Sequence, residues 1–252
     1  MSNLEEGHVN TSIENGVGTI EFGHPKSNSL PGKVLRKLAQ TITDLGADNA
    51  VKVIVLTSAG DRAFCAGASF DELISIQDYP TGKEFFMGFA RVINAARKCP
   101  KFIIGRVQGK AVGGGVGMAS AVDYCMATKH ASVKLSELAI GIGPFVVGPA
   151  VERKMGASAM SELAINATEW RSAEWAKEKG LYTEVFESTE EMDSAISSLT
   201  ARLAKNNPEA MQLLKTAFWE SCGDWDTLLE LRAEMSGRLV LSDFTVNAIN
   251  AF

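Results

Sequence analysis

Histidine is scarce in this chain, with only His8, His24 and His130 among 252 residues. All three stand in polar or terminal contexts, and no Gly-x-Ser-x-Gly elbow is present, so a serine-hydrolase triad lacks its parts. Cysteine is limited to Cys65, Cys99, Cys125 and Cys222. None forms a Cys-x-x-Cys pair, and no zinc-type spacing can be drawn with so few histidines. Buried free thiols of a reducing cytosol are expected. Basic blocks are missing too: 25 lysines and arginines face 30 aspartates and glutamates, a net charge of −5. That balance argues against nucleic acid or an anionic membrane as the main partner. No apolar run reaches the roughly 18 residues of a membrane span. Met1 to Asn10 is polar, without a signal-like apolar core. A soluble, cytoplasmic protein is expected.

What is present is an ordinary globular composition, 46% hydrophobic and 22% charged, long enough to bury a core without disulfides or metal. Val9–Glu14 and Val17–Phe22 read as strands joined by Asn15-Gly16, a type I′ hairpin signal. Pro31–Leu45 reads as an amphipathic helix with Val34, Leu35, Leu38, Ile42 and Leu45 on one face. Val51–Leu56 is a continuous apolar run, the mark of a buried strand. Thr57–Ala68 reads as a loop. Phe102–Val107, Asp123–Thr128 and Ser132–Leu135 read as further strands. From Gly148 the pattern turns helical: Ser172 caps one helix, Ser188 with Glu191 forms a capping box, Asn207-Pro208 starts a third, and Trp225–Leu241 is the last. The expectation is an α/β core over residues 1–190 with a helical C-terminal region over 191–252.

Three segments stand out chemically. Phe64-Cys65-Ala66-Gly67-Ala68-Ser69-Phe70-Asp71-Glu72-Leu73 places small residues between a strand and a helix. Uncovered backbone N–H groups there suit an anion or a developing oxyanion, although an ordinary tight turn fits as well. Gly109-Lys110-Ala111-Val112-Gly113-Gly114-Gly115-Val116-Gly117 puts glycines into a helix-forming stretch, at a cost of about 1 kcal/mol each relative to alanine. Close approach of backbone to a ligand or to other backbone explains such a cost. The spacing is neither Gly-x-Gly-x-x-Gly nor a P-loop. In Leu135-Ser136-Glu137-Leu138-Ala139-Ile140-Gly141-Ile142-Gly143-Pro144, one carboxylate stands among apolar and small residues. Such surroundings poise it for proton transfer, although a salt-bridged glutamate at a strand end fits equally.

Together, in this order and spacing, these segments resemble the crotonase, or enoyl-CoA hydratase/isomerase, superfamily over nearly the whole chain. Pro25-Lys26-Ser27-Asn28-Ser29-Leu30 resembles the family's early CoA-contacting turn. The resemblance implies a spiral of stacked ββα turns with a C-terminal helical region, and a homotrimer or dimer of trimers. It implies an acyl-CoA thioester substrate, with coenzyme A as part of the substrate and no metal, flavin or nicotinamide cofactor. The N–H groups of Ala68 and Gly114 become the oxyanion donors, and Glu137 becomes the residue that moves the α-carbon proton. Lys26, Ser27, Ala66, Ser69, Phe70, Asp71 and Gly115 become further contacts of the CoA thioester. Ile74–Ala90 and Phe145–Gly148 are expected to shape the acyl pocket. Trp170, Trp175, Trp219 and Trp225 are expected in packing or subunit contacts.

The sequence also departs from the hydratase pattern. Family hydratases carry a second, water-activating glutamate three residues after the middle glycine of the triplet, and here that residue is Gly117. The family's aspartate after the Ala68 position is Ser69, and bulky Phe145, Val146 and Val147 replace part of a glycine-rich stretch. One carboxylate suffices to carry a proton from the α- to the γ-carbon, so the resemblance points to double-bond isomerisation of an enoyl-CoA. A hydratase, for methylglutaconyl-CoA or another branched substrate, is the alternative. A non-catalytic CoA-thioester binding subunit is the alternative of another class.

Overall fold

The computed structural model describes residues 7–251. Met1–Glu6, most of the polar start noted above, and Phe252 lie outside the described residues. β1 (His8–Glu14) and β2 (Val17–Gly23) pair antiparallel through Asn15 and Gly16. Both turn residues have positive φ, 51° and 82°, the type I′ geometry that Asn-Gly favours. α1 (Gly32–Ala47) buries the stripe read from the sequence, Val34, Leu35, Leu38, Ile42 and Leu45.

From β3 onward, successive strands alternate between two sheets. β3 (Val53–Ser58), β5 (Ile103–Val107), β7 (Tyr124–Thr128) and β9 (Glu184–Phe186) extend the hairpin into a six-stranded sheet, order β1-β2-β3-β5-β7-β9, parallel beyond β2. β4 (Ala63–Cys65), β6 (Lys110–Val112) and β8 (Val133–Lys134) form a second, all-parallel sheet in that order. Each turn of chain therefore lays one strand in each sheet, the stacked spiral that the resemblance implies.

The helices fill the spaces between and around the sheets: α2 (Phe70–Ile74), α3 (Tyr79–Lys98), α4 (Gly114–Ala121), α5 (Gly148–Ile165) and α6 (Ala173–Glu178). Helices α7 (Thr189–Leu203), α8 (Pro208–Phe218), α9 (Trp225–Leu239) and α10 (Asp243–Asn250) complete the chain. β3 explains its own composition: Ile54 and Leu56 enter the main core, while Val53 and Val55 enter a second core against Met192 and Ile196 of α7. A strand covered on both faces has no polar side to alternate with. The four cysteines are buried and free.

Several elements differ from the sequence reading. α10 follows Trp225–Leu241, which was read as the last helix, and β6 opens the glycine-bearing stretch read as helix-forming. The loop assigned to Thr57–Ala68 contains β4. Ile74–Ala90, to which no regular element was assigned beyond the short helix after Ser69, holds most of the 20-residue α3. Its apolar stripe is interrupted by Gly82 and Gly88, where α9 and α1 approach closely: a Cβ on Gly82 would meet Gly237 O at 2.9 Å, and one on Gly88 would meet Leu35 Cδ1 at 2.8 Å. β9 interrupts the helical half with three residues that are only partly buried, so its polar Glu184 gave no strand signal.

One buried polar cluster ties α8 to the sheet. Asp123 accepts from the Ile103 N–H (2.8 Å), Lys215 Nζ (2.6 Å) and Trp219 Nε1 (3.1 Å). Asp123, immediately before β7, is thus a structural residue. Trp219 packs edge-to-face on Trp225, so these two indoles belong to the core.

Candidate active site

A cavity of about 760 Å³ opens between the two glycine-bearing segments and the turn after β8. Its floor is backbone. Leu30 N–H donates to Gly67 O and Ser69 N–H donates to Leu30 O, so the N–H of Ala68 between them faces the other way, into the cavity it lines. Ser29 Oγ donates to Ala68 O at 2.8 Å, and the Ala66 N–H donates to Ser27 O at 3.2 Å, which fixes this segment to the Lys26–Leu30 turn. That turn is itself pinned by buried Asn28, whose Nδ2 donates to Ala59 O and Ala63 O, both at 2.9 Å.

Opposite it, the chain leaves β6 at Gly113, with φ 52°, and enters α4. Gly113 N–H is taken by Lys134 O at 2.9 Å. Gly114 is the first helical residue, and an N–H there has no acceptor within the helix. The two segments nearly touch: a Cβ on Gly67 would lie 3.9 Å from Gly114 N. At Gly114 the Phe89 ring stands 2.2–2.4 Å from where a Cβ would be, so glycine is required sterically. Gly115 has another task, since its missing side chain lets α4 rest on Cys65 O, 2.5 Å from the Cβ position.

Glu137 begins a 3-10 turn, Glu137–Ile140, that closes on Gly141 in the left-handed region. Its carboxyl group lies against Gly113, with Oε1 3.0 Å from where a Cβ would stand. The residue as a whole is half-buried, but Oε2 is sealed from water and has no hydrogen-bond partner. Desolvation pushes the carboxyl group up from its ordinary 4.5 to about 7, offset in part by its own backbone N–H. A carboxylate so placed both takes and returns a proton near neutral pH.

Among the residues assigned to the site from sequence, Ala66, Ala68, Phe70, Gly114 and Glu137 line this one cavity. Ser69 instead caps α2, accepting from the Glu72 N–H at 3.3 Å. Lys26, Ser27 and Asp71 lie outside the cavity wall, and exposed Lys26 pairs with exposed Asp71. Phe85, Phe86 and Phe89 of α3, with Phe145, Val146 and Val147, do shape the apolar wall as the sequence implied. Trp170 was assigned to packing or subunit contacts, yet it lines the cavity with Lys134. Nothing in its local sequence signalled this; a bridge between Val133 and Arg171 brings it there. Gly117 is absent from the wall, and Val147 stands over it, 2.5 Å from the position of a Cβ.

Alternating strands of two sheets, wrapped around an apolar cavity with backbone amides on its floor, define the fold as that of the crotonase superfamily. Residues 12–240 match the enoyl-CoA hydratase/isomerase family, and the chain belongs to it, as an enzyme of that superfamily. The short-chain-enoyl-CoA hydratase of Clostridium acetobutylicum is 27% identical over 251 residues, which take in 99% of this chain and 95% of that protein. The mitochondrial Delta(3,5)-Delta(2,4)-dienoyl-CoA isomerase of Mus musculus is 24% identical over 222 residues, 80% of this chain and 65% of the isomerase. A crystal structure of enoyl-CoA hydratase from Bacillus halodurans shares the fold with a TM-score of 0.90, covering 97% of this chain and 99% of that one at 20% identity.

Proposed function

We propose that this enzyme moves a double bond in an enoyl-CoA, from the β,γ to the α,β position, through a thioester enolate. The N–H groups of Ala68 and Gly114 hold the thioester oxygen. Glu137, as carboxylate, takes a proton from the α-carbon; negative charge moves onto the oxygen and over the conjugated γ-carbon. The same group returns the proton at the γ-carbon, which leaves the double bond between α and β. Two preorganised donors matter because a thioester α-proton is too weakly acidic for a glutamate alone; losing one such donor typically costs about 10²–10³-fold.

The observation that carries the reading is that Glu137 is the only carboxylate lining the cavity among the described residues, with Val147 filling the space beside Gly117. Hydration needs a second group to activate water, and an isopropyl group stands there instead. Action in the cytoplasm and assembly as a homotrimer or dimer of trimers belong to the same reading, the latter supported by exposed Leu213, Leu214 and Phe218 on α8. The second reading is an enoyl-CoA hydratase, favoured by the full-length likeness to the clostridial hydratase. Incubation with a panel of α,β- and β,γ-enoyl-CoA esters, scoring hydration and isomerisation separately, tests the choice. Isomerisation without hydration is expected.

A further inference from the structure

The cavity wall holds one basic side chain, Lys134, beside an otherwise apolar lining. Val112 of β6 and Lys134 of β8 are register partners, so their side chains share a face of the small sheet. Lys110, two residues before Val112, is on that face as well. Trp170 covers it: Lys110 Nζ and Lys134 Nζ each lie 4.7 Å from the centroid of the indole. Neither ammonium group makes an ion pair with a carboxylate among the described residues. Lys134 does not serve Glu137 either: no ion pair joins the two, and Glu137 Oε2 accepts no hydrogen bond. Two like charges held against one ring repel each other, and the indole face alone offsets little of that. Exposed Lys110 keeps its water, whereas half-buried Lys134 stands in the cavity wall with no counter-charge among the described residues.

From this juxtaposition we infer that the acyl part of the substrate carries a carboxylate, received by Lys134 against Trp170 with Lys110 behind it. The inference rests on the enoyl-CoA reading above and names the substrate class within it. The CoA end is the weaker source of the anion. The turn expected to meet CoA holds Lys26, already paired with Asp71, and is tied to the Ala66–Ala68 segment rather than to β8. A lysine in a pocket for a purely hydrocarbon chain would oppose binding, since its charge would lose water and gain no partner.

The test compares two saturated, unreactive five-carbon esters, valeryl-CoA and glutaryl-CoA, which differ in a terminal methyl against a carboxylate. Dissociation constants are measured by calorimetry for wild type, Lys134→Met and Lys134→Arg, with free CoA as a third ligand. A charge-assisted contact predicts that wild type binds glutaryl-CoA about tenfold or more tighter than valeryl-CoA. Lys134→Met should abolish that preference while leaving valeryl-CoA and free CoA unchanged, and Lys134→Arg should retain it. Equal wild-type binding of the two esters overturns the inference and leaves the enoyl-CoA reading standing. A parallel loss for free CoA in Lys134→Met also overturns it, by assigning the lysine to the CoA phosphates. Failure of wild type to bind any ester overturns the enoyl-CoA reading itself, and this inference with it.

Discussion

Val147 occupies the space that a side chain on Gly117 would need, with its Cγ1 2.5 Å and its Cβ 2.8 Å from the position of a Cβ at 117. Two of the departures from the hydratase pattern, Gly117 and Val147, are therefore one steric arrangement. Val147 is β-branched and its Cβ is fixed to backbone, so it cannot swing aside. Gly117→Glu alone should destabilise the fold, by about 1–3 kcal/mol for the overpacking alone, and give no gain in hydration. Gly117→Glu combined with Val147→Gly should recover stability relative to the single variant and raise hydration relative to isomerisation. Thermal unfolding and product analysis of the three variants check both halves.

Glu137 should give the activity an acid limb. Proton abstraction needs the carboxylate, and the group sits near 7, so kcat/KM for isomerisation should fall as pH drops through about 7. The same shift has a stability sign. The folded value lies above the ordinary 4.5, so the folded state binds the proton more tightly than the unfolded one. That contribution is fully present below pH 4.5 and is lost as pH rises through 7. Glu137→Gln should thus gain on wild type by about 1–3 kcal/mol between pH 4.5 and pH 8, read from unfolding curves at both values.

Gly114→Ala should cost both fold and rate. Its methyl group would enter the Phe89 ring, at 2.2–2.4 Å, and would tilt the amide proposed to hold the thioester oxygen. A loss of about 10²–10³-fold in kcat is expected for a displaced oxyanion donor. Adding Phe89→Ala should restore stability in part. Recovery of rate together with stability would assign the loss to the amide that the clash displaces.

Asp123 should prove structural. Lys215 and Asp123 are both almost wholly buried, at 2% and 5% side-chain exposure. Asp123→Ala strands a buried ammonium group and should destabilise by about 3–5 kcal/mol. The test is chemical denaturation, together with isomerase activity at a temperature where the variant stays folded. Activity per folded molecule should be unchanged.

The hairpin and α1 were legible because their signals are local: Asn15-Gly16 dictates a turn, and the Val34-to-Leu45 spacing dictates a face. Glu137 and the two glycine-rich segments were legible as chemistry, and the resemblance gave them roles. The wall was not. Val147 over Gly117 and Trp170 over two lysines are contacts across long loops of chain, and residue types alone do not place such partners together. α3 escaped for a related reason: Gly82 and Gly88 lower its helix propensity, and the packing of α9 and α1 that justifies them is tertiary. Ser69 and Gly115, expected at the substrate from their position beside cavity residues, have local tasks that the sequence did not show: one caps a helix and the other admits a backbone carbonyl.

The most direct test of the account is α-proton exchange in D2O. A β,γ-enoyl-CoA is incubated with wild type or Glu137→Gln, and NMR follows loss of the α-proton signal and growth of the α,β double bond. The account predicts that wild type does both, and that the variant loses at least about 100-fold of each while still binding the ester. Exchange undiminished in Glu137→Gln, or wild type that hydrates an α,β-enoyl-CoA at about 10 per second yet leaves the β,γ bond unmoved, would contradict it.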